Sequence, residues 1–95
     1  MITCAFGKGE QIFIRRNGYH VLGEIHDVLP NSVVLLRVSC FVDGDQNNRF
    51  GDVLARGVKA GCEIEVYPPD LKVQICLNGT EIIEWRHELP TESMP

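Results

Sequence analysis

Two Asn-Gly dipeptides, each placed between segments of alternating apolar and polar residues, constrain this chain more than any other feature. They are Asn17-Gly18, between residues 11–16 and 19–28, and Asn78-Gly79, between residues 71–77 and 80–89. Asn and Gly both tolerate positive φ, which the type I′ turn of a two-residue β-hairpin requires. The sequence therefore predicts two Asn-Gly hairpins.

Three further segments have the composition of strands: residues 1–6, 33–42 and 62–67. Residues 33–42 are apolar at every even position and also carry Val33 and Leu35, which predicts a central strand covered on both faces. Residues 53–59 are compatible with one short helix. We therefore expect an all-β or nearly all-β fold, a small barrel or sandwich of about seven antiparallel strands with at most one short helix.

The length of 95 residues predicts a single domain over residues 1–90, followed by a disordered tail over 91–95. The chain has no run of about 18 apolar residues and no signal-peptide pattern, so we expect a cytoplasmic protein without a membrane span. The four cysteines lack the C-x-x-C spacing of zinc and redox sites. Buried, reduced thiols are the favoured interpretation, and two disulfides are the alternative.

The three histidines are candidates for catalysis or metal binding. His20, Glu24 and His26 share one strand face, but a solvated outer face explains this pattern better than a metal site, whose ligands usually come from several strands. His87 adjoins a carboxylate, as His26 does, yet neighbours on a strand point to opposite faces and form no acid–base pair. We therefore expect a non-enzymatic protein with no catalytic residues, no metal and no cofactor.

The two Asn-Gly segments also resemble each other over a longer stretch. Residues 12–28 and 73–89 align at an offset of 61 residues, with apolar residues and a His followed by a carboxylate at matching positions. Any two Asn-Gly hairpins share part of this pattern, so gene duplication and convergence both explain it. A duplication would place two similar hairpins in the fold.

Residues 12–36 resemble the first Sm motif, because an apolar strand is followed by Asn-Gly, by Gly23 and by an apolar strand ending in Leu35-Leu36. Arg56-Gly57 followed by residues 64–66 is similar to the second Sm motif. The resemblance to the Sm-like family, which includes the Hfq-type RNA chaperones, implies a bent β-barrel that forms rings and binds single-stranded RNA. The RNA-binding residues it implies are Arg15, Arg16, Asn17, Gly18 and Tyr19, with Tyr19 stacking on a base.

A second resemblance competes with the first. Residues 64–89 are similar to a galectin-type strand pair, and Asn47 and Arg49 match part of a galectin sugar motif. The corresponding hypothesis is a small-molecule or carbohydrate-binding domain whose pocket is lined by Tyr67, Trp85 and Arg86.

The chain carries a net charge of −4, and its only basic pair is Arg15-Arg16. Phosphate contacts need clustered Lys and Arg, so the net charge argues against non-specific nucleic-acid binding, whereas the Arg pair favours a local RNA site. We therefore expect a noncatalytic binding or assembly module that forms a homo-oligomer. RNA is its most specific expected partner, and a small molecule or sugar is the alternative.

Overall fold

The computed structural model describes residues 3–16, 19–42 and 64–91. In these ranges the strands are β1 (Gln11–Arg16), β2 (Tyr19–Leu29), β3 (Ser32–Val42), β4 (Glu65–Val66), β5 (Val73–Cys76) and β6 (Glu81–Glu84). All the strand pairs are antiparallel, and the described residues contain no helix. The predicted all-β fold is confirmed, while residues 53–59, where a short helix was expected, lie outside the described ranges.

Residues 3–10 form bends and turns instead of the predicted first strand, so the described strands number six. Only the end of this segment pairs with β2: the Gly9 N–H donates to the Ile25 carbonyl, and the Ile25 N–H donates to the Glu10 carbonyl, both over 2.9 Å. Gly9 has a φ of 87°, a conformation that Gly adopts readily in a turn. The segment before this turn contributes the buried Cys4 to the core.

The strands form one sheet in the order β4-β3-β2-β1-β6, and β5 also pairs with β3. Strand β4 pairs with the C-terminal half of β3 at Ser39 and Cys40, whereas β5 pairs with its N-terminal half from Ser32 to Leu35. Strand β3 is therefore central, as its apolar composition predicted.

The first Asn-Gly segment forms the predicted pair of antiparallel strands. The ladder of β1 and β2 runs without interruption from Gln11 opposite Glu24 to Arg16 opposite Tyr19. Asn17 and Gly18, between the last paired residues, lie outside the described ranges.

The second Asn-Gly segment does not form the predicted hairpin, which corrects that expectation. Strand β5 hydrogen-bonds to β3 and β6 hydrogen-bonds to β1, so the two strands beside Asn78-Gly79 pair with different neighbours. A turn is present, because the Thr80 N–H donates to the Leu77 carbonyl over 3.3 Å and Gly79 has a φ of 71°. Asn78 has no positive φ, so this is a type II turn and not type I′. Type II turns splay their flanking strands, so this turn does not favour a ladder between β5 and β6.

Two irregularities bend the long β2–β3 ribbon. The register shifts between Leu22 and Glu24 and again between Ile25 and Asp27. At the first shift Arg37 adopts a φ of 53°, and the inward-facing set changes from Val33 and Leu35 to Val38. Such bulges bend a strand and increase its twist.

Gly23 lies opposite this first bulge, where the two strands approach closely. A Cβ at Gly23 would lie 3.1 Å from the Leu35 Cβ and 3.3 Å from the Leu36 carbonyl oxygen. Any side chain at this position would have to displace Leu35 or the Leu36 carbonyl by a few tenths of an ångström, so the close approach favours Gly.

The two faces of the sheet are covered by separate apolar clusters. The first core cluster contains Cys4, Ile12, Ile14, Val21, Ile25, Val33, Leu35, Val38 and Leu77. The second core cluster contains Phe13, Leu22, Phe41, Ile64, Trp85 and Leu89. Strand β1 contributes to both clusters, because its side chains alternate between the two faces.

His20 lies beside the second core cluster and is fully buried, which corrects the expected solvated outer face. Its ring centroid lies 5.0 Å from the Phe13 ring and 5.0 Å from the Phe41 ring, and it stacks on Phe41 at 18°. The outer face is covered because Trp85 and Leu89, which follow β6, pack over it. Sequence alternation identified the face correctly but could not show that a later segment covers it.

Candidate functional site

The predicted histidine and carboxylate sites are separated in the structure. Glu24 forms an ion pair with Arg37, His26 is exposed and His20 is buried, so these three side chains do not share one solvated site. Among the described residues, no group of three His, Cys, Asp or Glu side chains is placed to hold a metal ion. In the same residues, no helix has the length and apolar character needed to cross a membrane.

The two arginines predicted to bind RNA point to opposite faces of the sheet. Arg16 pairs with Tyr19 across the β1–β2 ladder, while Arg15 pairs with His20 on one side and Glu81 on the other. Because adjacent strand residues point to opposite faces, only Arg16 shares a face with Tyr19. Asn17 and Gly18, also predicted to bind RNA, lie outside the described residues.

Tyr19 is one of two large apolar side chains exposed among the described residues, with 40% of its surface accessible. Partial burial raises the pKa of Tyr19, the Cys40 thiol and the Glu65 carboxylate add to the increase, and the Arg16 guanidinium opposes it. These effects place one cation, one thiol and one carboxylate around the phenol.

Tyr67 approaches the same thiol from the other side, with its hydroxyl 3.5 Å from the Cys40 Sγ. Hydrogen bonding to Cys40 raises the pKa of Tyr67, and burial and Glu65 raise it further. Tyr67 is partly buried against the first core cluster, so its position is fixed by packing.

These five side chains form one surface, which we call the tyrosine patch: Arg16, Tyr19, Cys40, Glu65 and Tyr67. Strand register brings them together, because Cys40 lies opposite Val21 on β2 and opposite Glu65 on β4. Tyr19 precedes Val21 by two residues and Tyr67 follows Glu65 by two, so both point to the face of Cys40. At neutral pH the patch presents two protonated phenols beside one guanidinium, a surface suited to stacking on flat groups and donating hydrogen bonds.

A groove adjoins the tyrosine patch where β3 bends and shares Tyr67 with it. This groove has a volume of about 110 Å³ and is lined by Arg37, Val66, Tyr67, Pro69, Leu89, Pro90 and Thr91. The Arg37 backbone N–H donates to the Pro69 carbonyl over 3.3 Å, which connects the bulge to the groove wall.

The residues predicted to line a ligand pocket are not brought together. Trp85 is 2% exposed and stacks on Phe13 in the second core cluster, with ring centroids 5.7 Å apart. Arg86 is exposed and pairs with Glu84 over 3.2 Å. Of the predicted three, only Tyr67 lines the groove.

Sequence reasoning missed Cys40 and Glu65 in the patch and Arg37 in the groove. Alternation along a strand shows which residues share a face, but it does not give the register between β3 and β4, which lie far apart in sequence. No feature of the sequence indicated Arg37, because a positive φ at a non-glycine residue cannot be predicted from the sequence.

Comparisons with protein-family models, with curated proteins and with solved structures found no match to this chain.

Proposed function

We propose that this chain is a noncatalytic binding module that binds single-stranded RNA on the tyrosine patch. The observation that carries the proposal is the exposed Tyr19 ring beside Arg16 at the end of the β1–β2 ladder. Base stacking on aromatic side chains contributes roughly 1–3 kcal/mol per base and tolerates any base. The Sm-like resemblance of residues 12–36 supports the same site.

The side chains of the tyrosine patch are better suited to contacting bases than to contacting phosphates. Both phenols are protonated at neutral pH, and the exposed Tyr19 hydroxyl is a hydrogen-bond donor to a base edge or a sugar hydroxyl, whereas the Tyr67 hydroxyl already contacts Cys40. Arg16 is the single cation in the patch, and Glu65 repels phosphate. We therefore expect stacking to dominate, with about one phosphate contact and a shallow salt dependence, on the order of −0.7 in log K per log salt.

The experiment is fluorescence anisotropy of short labelled oligonucleotides, comparing single-stranded RNA, single-stranded DNA and duplex RNA. Tyr19→Ala is expected to weaken single-stranded RNA binding roughly 5- to 150-fold, the equivalent of one lost stacking contact. Arg16→Gln is expected to weaken binding less and to flatten the salt dependence.

Leu71→Ala provides the matched control, because Leu71 is the other large exposed apolar side chain and is 45% accessible. It removes a similar exposed surface outside the patch and should leave the affinity unchanged. Equal losses in the Leu71 and Tyr19 variants, or no binding of single-stranded RNA by the native chain, would overturn the proposal.

We also propose that the module acts as a homo-oligomer, as the Sm-like resemblance implies. Strands β5 and β6 each pair with one described neighbour, β3 and β1 respectively. Antiparallel addition of a second copy at one of these edges would extend the sheet through backbone hydrogen bonds. Light scattering with and without RNA measures this directly: a monomer under both conditions would exclude assembly while leaving RNA binding open.

A further inference from the structure

The groove at the β3 bend is built from three separate parts of the chain. Arg37 comes from the bulge in β3, Tyr67 and Pro69 follow β4, and Leu89 and Pro90 follow β6. Two of these residues are prolines, whose fixed φ makes the walls rigid before any ligand arrives. Preformed walls reduce the ordering cost of binding a small molecule.

The size of the groove limits its occupant. A volume of about 110 Å³ is somewhat smaller than the cavity of roughly 150 Å³ that holds one benzene molecule in another protein. The groove is also open to solvent on one side, so a ring would be held with its edge outside. One small ring is therefore the apolar group that best matches the size of the groove.

The charge of the groove indicates which polar group the ligand carries. Arg37 is the only charged residue among the seven that line the groove, and the other side chains are apolar or neutral. Its guanidinium pairs with the Glu24 carboxylate, with 48% of the Arg37 side chain and 30% of the Glu24 side chain exposed. An exposed ion pair of this kind contributes about 1 kcal/mol or less, so a competing carboxylate can replace Glu24.

Backbone strain at Arg37 also supports a ligand site in the groove. Its φ of 53° is unusual for a long side chain, and residues held in this region cluster at ligand sites. The conformation is stabilised by the hydrogen bond from the Arg37 N–H to the Pro69 carbonyl. The bulge thus fixes the Arg37 backbone at the wall of the groove.

We propose that this groove binds a small free carboxylate attached to one apolar ring, with the ring against Tyr67, Pro69 and Leu89 and the carboxylate on Arg37. In the bound state the ligand replaces Glu24 as the partner of the guanidinium, which can bind a carboxylate through two parallel N–H donors. The groove shares Tyr67 with the tyrosine patch but uses neither Tyr19 nor Arg16, so substitutions at Tyr19 and Arg37 test the two proposals separately.

The test uses benzoate as the probe in a titration of the ¹⁵N-labelled full chain followed by NMR. Benzoate should shift the resonances of the groove residues, and benzamide, which has the same shape without the charge, should shift them much less. Arg37→Asn, which keeps a residue tolerant of positive φ, should weaken benzoate binding at least about tenfold.

The sharpest outcome concerns Glu24→Gln. If Glu24 competes with the ligand, this variant should bind benzoate roughly 2- to 5-fold more tightly, the equivalent of an exposed ion pair. Both variants break the same ion pair, so damage from its loss alone would change benzoate binding in the same direction in both. Opposite directions support the proposal, and a loss in both overturns it.

Tyr19→Ala should leave benzoate binding unchanged, which separates this site from the RNA site. Equal shifts by benzoate and benzamide would overturn the role of Arg37. Binding of a peptide with a C-terminal Phe but not of benzoate would overturn the assignment to a free small molecule.

Discussion

The two Asn-Gly segments have the same local pattern and different pairings. Residues 12–28 form an uninterrupted ladder between β1 and β2. Residues 73–89 place β5 on β3 and β6 on β1, on either side of a type II turn. Local turn chemistry therefore fixes where the chain reverses, but not which strands pair after it.

The side chains at equivalent positions explain the difference. At the offset of 61, Leu77 corresponds to Arg16 and Trp85 corresponds to Glu24. Leu77 and Trp85 are each 2% exposed and belong to different core clusters, on opposite faces of the sheet. Fully burying a large apolar side chain contributes roughly 1.5–3 kcal/mol, which exceeds what one turn contributes. The second segment is thus anchored in the two cores at Leu77 and Trp85, whereas the first segment has polar residues at these two positions and enters both cores through other residues.

The difference in pairing also answers whether the fold contains two similar hairpins. The first segment has an internal ladder, and the described part of the second segment has none. The two segments are therefore not two copies of one structural unit, and the expected pair of similar hairpins is absent from the described residues.

The largest effect should come from removing the anchor of the second segment in the second core cluster. Trp85→Ala should lower the free energy of unfolding by about 3–5 kcal/mol, because it leaves a cavity beside Phe13 and removes a stacked pair. Glu24→Ala, at the equivalent position of the first segment, should cost about 1 kcal/mol or less. Urea denaturation of both variants measures the contrast, and similar costs would refute this account of the pairing.

The second prediction concerns the anchor in the first core cluster. Leu77→Ala should cost about 2–5 kcal/mol. The buried Leu77 N–H donates to the Asn31 carbonyl over 2.8 Å, so the backbone should stay in place while the cavity forms. Arg16→Ala, its equivalent, should change stability by less than about 0.5 kcal/mol, as expected for a surface substitution. Denaturation reports stability, and a large loss in the Arg16 variant would give that residue an unexpected structural role.

Much of the fold could be predicted from the sequence, because apolar and polar residues alternate clearly along the strands. The bounds predicted for β1, β2 and β3 agree with the structure within about one residue, well inside the usual uncertainty at strand ends. The central position of β3 followed from apolar residues on both faces. The pairing of β5 and β6 was not legible, because it depends on long-range packing of Leu77 and Trp85.

The candidate site was less accessible to sequence reasoning. Tyr19 and Arg16 were predicted together because they flank one turn, and the register confirms that they face each other. Arg15 was grouped with them by adjacency, although strand geometry places it on the other face. Cys40 and Arg37 were missed because their roles depend on the β3–β4 register and on a bulge.

The third prediction tests the turn itself and has a smaller expected effect. Gly79 has a φ of 71°, and a Cβ there would meet open space, so Gly79→Ala should cost only the backbone penalty of about 1–2 kcal/mol. Gly79→Asn should recover part of this loss, since Asn tolerates the same conformation. Gly7→Ala is the matched control, because Gly7 also faces open space and has no positive φ. Equal costs at Gly79 and Gly7 in thermal denaturation would contradict the type II assignment.

The smallest expected effect is a pH dependence of stability, which comes from an ionisable group that only the first segment has. Tyr19 corresponds to Thr80 at the offset of 61, so only the first segment has a titrating group there. Folding raises the pKa of Tyr19 and of Tyr67, chiefly through burial for Tyr19 and through hydrogen bonding to Cys40 for Tyr67. A raised folded-state pKa stabilises the native chain fully below the unfolded value of about 10 and loses that stabilisation as pH rises above it.

The free energy of unfolding should therefore fall as the pH rises above about 10, and Tyr19→Phe and Tyr67→Phe should each reduce that slope. These are the only two tyrosines in the chain, so phenolate absorbance reports on the patch alone. Thr80→Val, which removes the 2.7 Å hydrogen bond from the Thr80 hydroxyl to the Leu77 carbonyl, should lower stability slightly without changing the slope. If either phenol ionises at or below its ordinary pKa in the folded chain, that tyrosine does not contact Cys40 as described. The five side chains would then not form one surface.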